Sequence, residues 1–589
     1  MKFFRNLLAA TLGSFVALGL IFIVTISIIG SLTPQKEIIT VEPESVLKID
    51  LSTTFAEQTV KDDFNIGSLM PSIPLVGSTE VSESLGIRDA INTIDKAATD
   101  PNIKYILITN LDNAASDISY FEEIRNALER FRNSGKPIIA YGENFSLKGY
   151  YIATVADKIY SDNMASNTIV GLSGTIMYLK DILSRVGIEM QLIRHGKYKS
   201  AGEQFIASEM SEANYEQIFS RLNSTWNHIA GEICASREIS KEYFDGLIND
   251  LKINTPEQML EHKLIDVICS KAEFNQALCE MSNIEDIKDL KTIALEKYAS
   301  VALEPNVKAK EKIAVIYADG EINVAGEGIT AKKFVPIIEK VRKDSTIKAV
   351  VLRVNSPGGA VQPAEQIRAE LELLQQVKPL IVSYGTMAAS GGYWISAAAD
   401  KIYSNSTAIT GSIGVFSMIP SAEKAFKNTL HINPETVSTH KHSGMMSLTK
   451  SLDKAEKESI QDQIELIYTK FINIVAEGRE MTPERVDEIA QGRVWSGDEG
   501  LQIKLVDEIG GINDAISYAA ICSDLQDYKI VEYPKVEDSI SKLLKKANDA
   551  EEAMAIINSP EKMIEKLFSS VKNYQGTYAR IPYIFIENN

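Results

Sequence analysis

The chain has 589 residues, more than one hydrophobic core usually supports, so length alone predicts two or more domains. Its 45% hydrophobic and 24% charged composition is that of an ordinary globular protein. A formal net charge of −18 excludes a sequence-independent grip on phosphate backbones, which needs clustered Lys and Arg, so nucleic acid is not an expected partner.

The first element is "MKFFRNLLAATLGSFVALGLIFIVTISIIGSLTPQKE", which has no charged side chain from Asn6 to Gln35. About 20 apolar residues cross a bilayer, whereas a cleavable signal sequence has an apolar core of roughly 7 to 15 residues. Residues 1–35 are therefore predicted to be a short cytoplasmic stub and an uncleaved transmembrane helix. Lys2 and Arg5 precede the span and Lys36, Glu37, Glu42 and Glu44 follow it, so the positive-inside bias keeps the N-terminus in the cytoplasm and the body outside it.

Beyond the anchor the chain repeats itself. Setting Tyr150 against Tyr393 and running to Ser161 and Ser404 gives eight identities in twelve positions, with an unbroken ADKIYS. The match extends back through "NIKYILITN" and "TIKAVVLRVN", and through "GKPIIAYG" and "VKPLIVSYG". It extends forward through "KLIDVI" and "KLVDEI". A tandem duplication follows, with a first unit over 45–290, a charged connector over 291–311 and a second unit over 312–535. In each unit β-branched runs alternate with helical patterns such as "PAEQIRAELELLQQV", which predicts an α/β fold with a parallel sheet covered by helices.

The copies differ where chemistry would sit. Ser390 of "MAASGGYW" falls opposite Leu147, Gly358 and Gly359 of "NSPGG" fall opposite Ala114 and Ala115, and Ser412 of "TGSIG" falls opposite Leu172. A packing serine would be expected to face Ala or Gly rather than a bulky Leu, so Ser390 is the candidate nucleophile. A serine hydroxyl needs a neighbour to take its proton. His440 and His442 in "STHKHSGMMSL" are candidates, as is the first copy's "RHGKYKSAGEQF", which holds Lys197 and Lys199 and has no YKSA counterpart in the second copy. One copy keeps a lysine and the other a serine, so a site is expected where the copies meet.

The ordered set YKSA (198–201), RVNSPGG (353–359), MAASGGYW (387–394), TGSIG (410–414) and GRVWSGDEGLQIKLVDEIGG (492–511) resembles the signal peptide peptidases of the long, protease IV form. These are membrane-anchored Ser/Lys peptidases that share the crotonase-like fold of Clp protease. The resemblance implies Ser390 as nucleophile, Lys199 as general base and Ser412 as the hydroxyl that orients the lysine, with Lys197 a surface neighbour. It also implies an oxyanion hole from the backbone amides of Gly359 and Gly391, with Gly358 the other glycine of the turn that can donate. A homotetramer in the bacterial inner membrane, facing the periplasm and degrading cleaved signal peptides without metal or cofactor, is the expectation. The alternatives are acyl-CoA hydratase or hydrolase chemistry on the same fold, and an inactive membrane scaffold.

Four cysteines, Cys234, Cys269, Cys279 and Cys522, lack CxxC spacing; either Cys269 pairs with Cys279 or all remain thiols. No HExxH is present, and no metal site is expected. The tail 536–589 begins with an amphipathic helical pattern over 540–568 and ends in "RIPYIFIENN", apolar enough to seek a groove.

Overall fold

Runs such as "KIAVIYAD" and "IKAVVLRVNS" are rich in β-branched residues with no polar alternation, the pattern of strands covered on both faces. In the computed structural model, which describes residues 39–60, 84–303, 308–536, 577–580 and 585–587, these runs are buried central strands. Contacts divide the chain into two units, and the larger, Val41–Thr59, Ser84–Val536 and Glu552–Asn589, holds every element described below. The expected membrane span in 1–35 and the helical tail over 540–568 lie outside the described residues. Among the described residues no helix is long and apolar enough to cross a membrane.

Each copy builds the same parallel sheet. In the first the order is Val267–Ile268, Lys158–Ser161, Ile138–Gly142, Ile103–Thr109, Ser45–Asp50, Thr292–Ala294. In the second it is Glu508–Ile509, Lys401–Ser404, Leu380–Ala389, Ile347–Ser356, Lys312–Asp319, Lys529–Tyr533. The charged connector thus contributes an edge strand, Thr292–Ala294, and a helix, Leu295–Ala302. Hydrogen bonds confirm the sequence register: Tyr150 donates to the Leu264 carbonyl at 2.6 Å and Tyr393 to the Leu505 carbonyl at 2.9 Å. Likewise Lys136 caps the carbonyls of Ala97 and Asp100, and Lys378 those of Val341 and Asp344.

The second copy extends this plan: its strand Leu380–Ala389 runs on past the shared part to pair with Ile409–Gly411, which pairs in turn with Val494–Ser496. A further sheet joins the copies. Glu189–His195 of the first pairs antiparallel with Val415–Ser421 of the second over seven residues, and each strand leads to a long capped helix, Glu212–Arg237 or Lys454–Gly478. Ile193 of the first copy accordingly belongs to the apolar core of the second.

A buried ionic cluster also ties the copies together. The Arg353 guanidinium, fully buried, donates to Glu57 at 2.8 Å, to Glu123 at 2.7 Å, to the Ser383 hydroxyl and to the Tyr384 carbonyl. Glu123 also accepts from Asn405 and from the Ile512 amide, while its neighbour Glu122 accepts from the Ser406 and Thr407 amides. The helix Ile118–Asn133 of the first copy therefore docks on the second through charge-assisted hydrogen bonds. All four cysteines are free thiols, so Cys269 and Cys279 are not paired.

Candidate active site

The strand Leu380–Ala389 ends at Ser390, whose backbone sits at φ +56° and ψ −112°. A non-glycine residue there is strained by about 1–3 kcal/mol and persists only where its surroundings hold it. What holds it is a hydrogen bond from the Ser390 amide to the Gly411 carbonyl (2.8 Å) and the helical turn that follows. That helix, Gly391–Trp394, is a single turn rather than the longer buried helix that the apolar run suggests, so its dipole adds little at Ser390.

The turn Gly196–Ser200, just past the inter-copy strand, delivers the lysine. Tyr198 donates its amide to the Gln491 carbonyl at 2.8 Å, Gln217 donates to the Tyr198 carbonyl, and Arg194 donates to the Lys199 carbonyl. Gly492, at φ +77°, lies so close to this turn that a Cβ on it would be 2.6 Å from the Lys199 amide nitrogen and Cα. Only glycine combines that backbone with that approach. Gly492→Ala is expected to displace the lysine and reduce kcat of peptide hydrolysis by about 100-fold, the cost of a misplacement on the order of 1 Å; steady-state kinetics on the folded variant check it.

The Lys199 Nζ lies 2.8 Å from the Ser390 Oγ, 3.0 Å from the Ser412 Oγ and 3.0 Å from the Ser412 carbonyl oxygen. Lys199 and Ser390 are fully buried and Ser412 is 1% exposed. Burial pushes the amine well below its ordinary value, and among the described residues no carboxylate opposes it. Once neutral, the amine can donate its two N–H bonds to Ser412 and offer its lone pair to the proton of the Ser390 hydroxyl. Ser412, at φ +52°, is fixed by its amide donating to the Arg493 carbonyl at 2.7 Å.

Gly358 adopts φ +95° and Gly359 φ +155°. A Cβ on Gly391 would lie 3.1 Å from the Gly359 nitrogen and 3.1 Å from the Gly358 Cα, so the glycine turn and the start of the helix after Ser390 are in van der Waals contact. The turn is braced by Asn355, whose side-chain Oδ1 accepts from the Thr386 hydroxyl at 2.8 Å and from the amides of Thr386 and Met387.

The histidine candidates are not at the serine. His440 bonds to Thr439 and His442 to Glu456 in an exposed stretch, and Ser390 has Lys199 as its partner. Lys197 is exposed beside Tyr198 and Glu216. In the first copy, Leu147 fills the position of Ser390 and is 1% exposed. Among the described residues one group has metal-ligand spacing, His442, Asp453 and Glu456, but Glu456 is already engaged by Lys450 at 2.7 Å and by the Asp453 amide.

Sequence comparison bears directly on this geometry. The profile of Peptidase family S49 matches residues 130–285 and again 372–526. Protease 4 of Salmonella typhi is 33% identical over 84% of this chain and 81% of its own length. Protease 4 of Haemophilus influenzae is 33% identical over 74% and 73%. The chain belongs to peptidase family S49. The two matched segments fall one in each copy, so the family domain is duplicated here, and the chain is a serine peptidase. A plant relative, the chloroplastic serine protease SPPA of Arabidopsis thaliana, is 30% identical over 81% of this chain and 68% of its own length. These relatives favour the peptidase over the acyl-CoA and scaffold alternatives.

Proposed function

We propose that this S49 peptidase is a membrane-anchored endopeptidase that hydrolyses cleaved signal peptides through a Ser390–Lys199 dyad and an acyl-enzyme. The observation that carries the proposal is the 2.8 Å contact between the Lys199 Nζ and the Ser390 Oγ, contributed by opposite copies and sealed from water. Ser390 attacks the scissile carbonyl as Lys199 takes its proton; Lys199 passes that proton to the leaving amine, and water then cleaves the ester with Lys199 again as base. Ser412 orients the amine. The amides of Gly359 and Gly391 donate to the developing oxyanion, a role whose loss typically costs about 100- to 1000-fold in rate.

The duplicated sheet plan supports the crotonase-like assignment. The apolar, uncharged stretch from Asn6 to Gln35 supports the anchor, with the catalytic body on the periplasmic side of a bacterial inner membrane. Apolar signal-peptide remnants partition into the same bilayer, so tethering raises the encounter rate. Exposed apolar side chains on the first copy, among them Met177, Ile182, Tyr215 and Phe219, support self-association, for which the proposed form is a homotetramer.

The test is a fluorophosphonate probe on full-length protein in detergent, with the modified peptide mapped by mass spectrometry. The expected result is a single adduct on Ser390, absent from Ser390→Ala, in a preparation that cleaves an apolar signal-sequence peptide. An adduct elsewhere, with Ser390 unmodified in an active enzyme, refutes the assignment.

A further inference from the structure

The sheet that joins the copies has a gap in its chain order. Its strands run Glu189–His195, Val415–Ser421, Thr577–Arg580, Gly358–Ala360, Ile322–Asn323, Ile329–Thr330. The third member comes from the far C-terminal end, and it lies between the strand after Ser412 and the strand formed by the glycine turn. Both of its pairings are antiparallel: Arg580, Ala579 and Tyr578 lie opposite Gly358, Gly359 and Ala360, while Tyr578 and Thr577 lie opposite Phe416 and Ser417. Without Thr577–Arg580, two strand edges would face each other across a slot that passes the nucleophile. Two facing edges are the geometry that captures an extended peptide by strand addition.

The segment fills this slot closely. Ala579 is fully buried, and its carbonyl oxygen rests on the glycine turn: a Cβ on Gly358 would lie 2.1 Å from it, and one on Gly391 3.2 Å. The carbonyl is thus directed at the two glycines beside the nucleophile. Tyr578 packs against Phe416 at a tilt, with ring centroids 5.8 Å apart, and joins an apolar cluster of Ala201, Met418, Leu192 and Phe205 drawn from both copies. Arg580 pairs with Glu321 at 2.9 Å. The contacts alternate along the strand, one side chain enclosed and its neighbours on the other face, as they do for a bound extended peptide.

We infer that Thr577–Arg580 is a built-in occupant of the peptide-binding slot, lying as a substrate lies with the Ala579 carbonyl next to the glycine turn, and that a substrate must displace it. The chain restrains its own activity, and the protein open to substrate is the fraction with the strand released. The inference rests on Ser390 being the nucleophile. Its consequence is quantitative, because the apparent affinity of any competing peptide falls in proportion to the open fraction.

Two substitutions in the full-length chain test this, neither of them in the catalytic group. Ala579→Asp buries an unpaired charge in the slot, and Arg580→Glu sets like charges at Glu321. Each is expected to raise the second-order rate constant for fluorophosphonate labelling of Ser390, and to lower KM for a signal-sequence peptide, by about tenfold, as follows if the strand is released in about one molecule in ten of the parent protein. A synthetic decapeptide spanning residues 574–583 is expected to restore the slow rate competitively. Glu321→Arg combined with Arg580→Glu is expected to return the parent rate, a rescue that general loosening of the fold would not give. Labelling rates and KM equal to the parent's in folded variants overturn the inference. Ser390→Ala is the blank: labelling that persists in it, or is absent from parent and slot variants alike, removes the nucleophile assignment, whereas equal labelling of parent and slot variants with a clean blank removes only the occupied slot.

Discussion

Lys199→Met abolishes peptide hydrolysis and at the same time makes the folded protein more stable at neutral pH. The loss follows from removing the one group among the described residues that contacts the Ser390 hydroxyl and can accept its proton, and general-base contributions of this kind are worth about 10²- to 10⁴-fold. The gain follows from proton linkage. An unfolded lysine titrates at about 10.4, and burial holds the folded-state value of Lys199 well below its ordinary one. Between the two values the unfolded chain binds one more proton than the folded chain, so stability rises with pH across that window and is diminished below it. Methionine fills a similar volume without that cost. Thermal midpoints of parent and variant at two pH values check the sign: the variant exceeds the parent at neutral pH, and the difference narrows as pH approaches 10. An active Lys199→Met protein, or one with a lower midpoint at neutral pH, is the contrary outcome.

Arg353→Met produces the largest expected loss of stability. The guanidinium is the shared partner of Glu57 and Glu123 in a site sealed from water, and removing one member of such a buried cluster costs about 3–5 kcal/mol. Burial already raises the Glu57 carboxyl above its ordinary range with Arg353 beside it. Without Arg353 it rises further, so the variant's stability is greatest below the unfolded value of about 4.3 and declines as pH climbs above it. Denaturant unfolding at pH 5 and pH 8 reads the difference, and Glu57→Gln in the Arg353→Met background recovers part of the loss. Because Glu57 and Glu123 belong to the first copy and Arg353 to the second, the unfolding midpoint measures the cohesion of the two halves that the catalytic pair requires.

The duplication made the site legible. The register that pairs Tyr150 with Tyr393 is the one the hydrogen bonds to Leu264 and Leu505 preserve, so reading Leu147 against Ser390 compared true equivalents. The same comparison separated a lysine kept in one copy from a serine kept in the other, and the strand pairing Glu189–His195 with Val415–Ser421 supplies the physical reason they meet. Other features gave no local sign of their roles. Gly492 matters because the Gln491–Gly492 backbone touches the Lys199 turn across a long sequence separation, and a lone glycine in a loop carries no mark of its neighbour. Arg353 sits inside a strand of apolar residues, and its carboxylate partners lie in a different copy. The four residues Thr577–Arg580 are too short to establish a period, and they form a strand only because two edges are waiting for them.

A lysine stripped of water, and not a histidine or a metal-bound hydroxide, takes the proton of Ser390 in this mechanism. The most direct measurement is the pH dependence of Ser390 phosphonylation by a neutral fluorophosphonate, in the parent protein and in Lys199→Met. The expected rate rises with pH through a single ionisation far below that of free lysine, and the inflection vanishes in Lys199→Met together with most of the rate. An inflection that persists unchanged in the variant would contradict it.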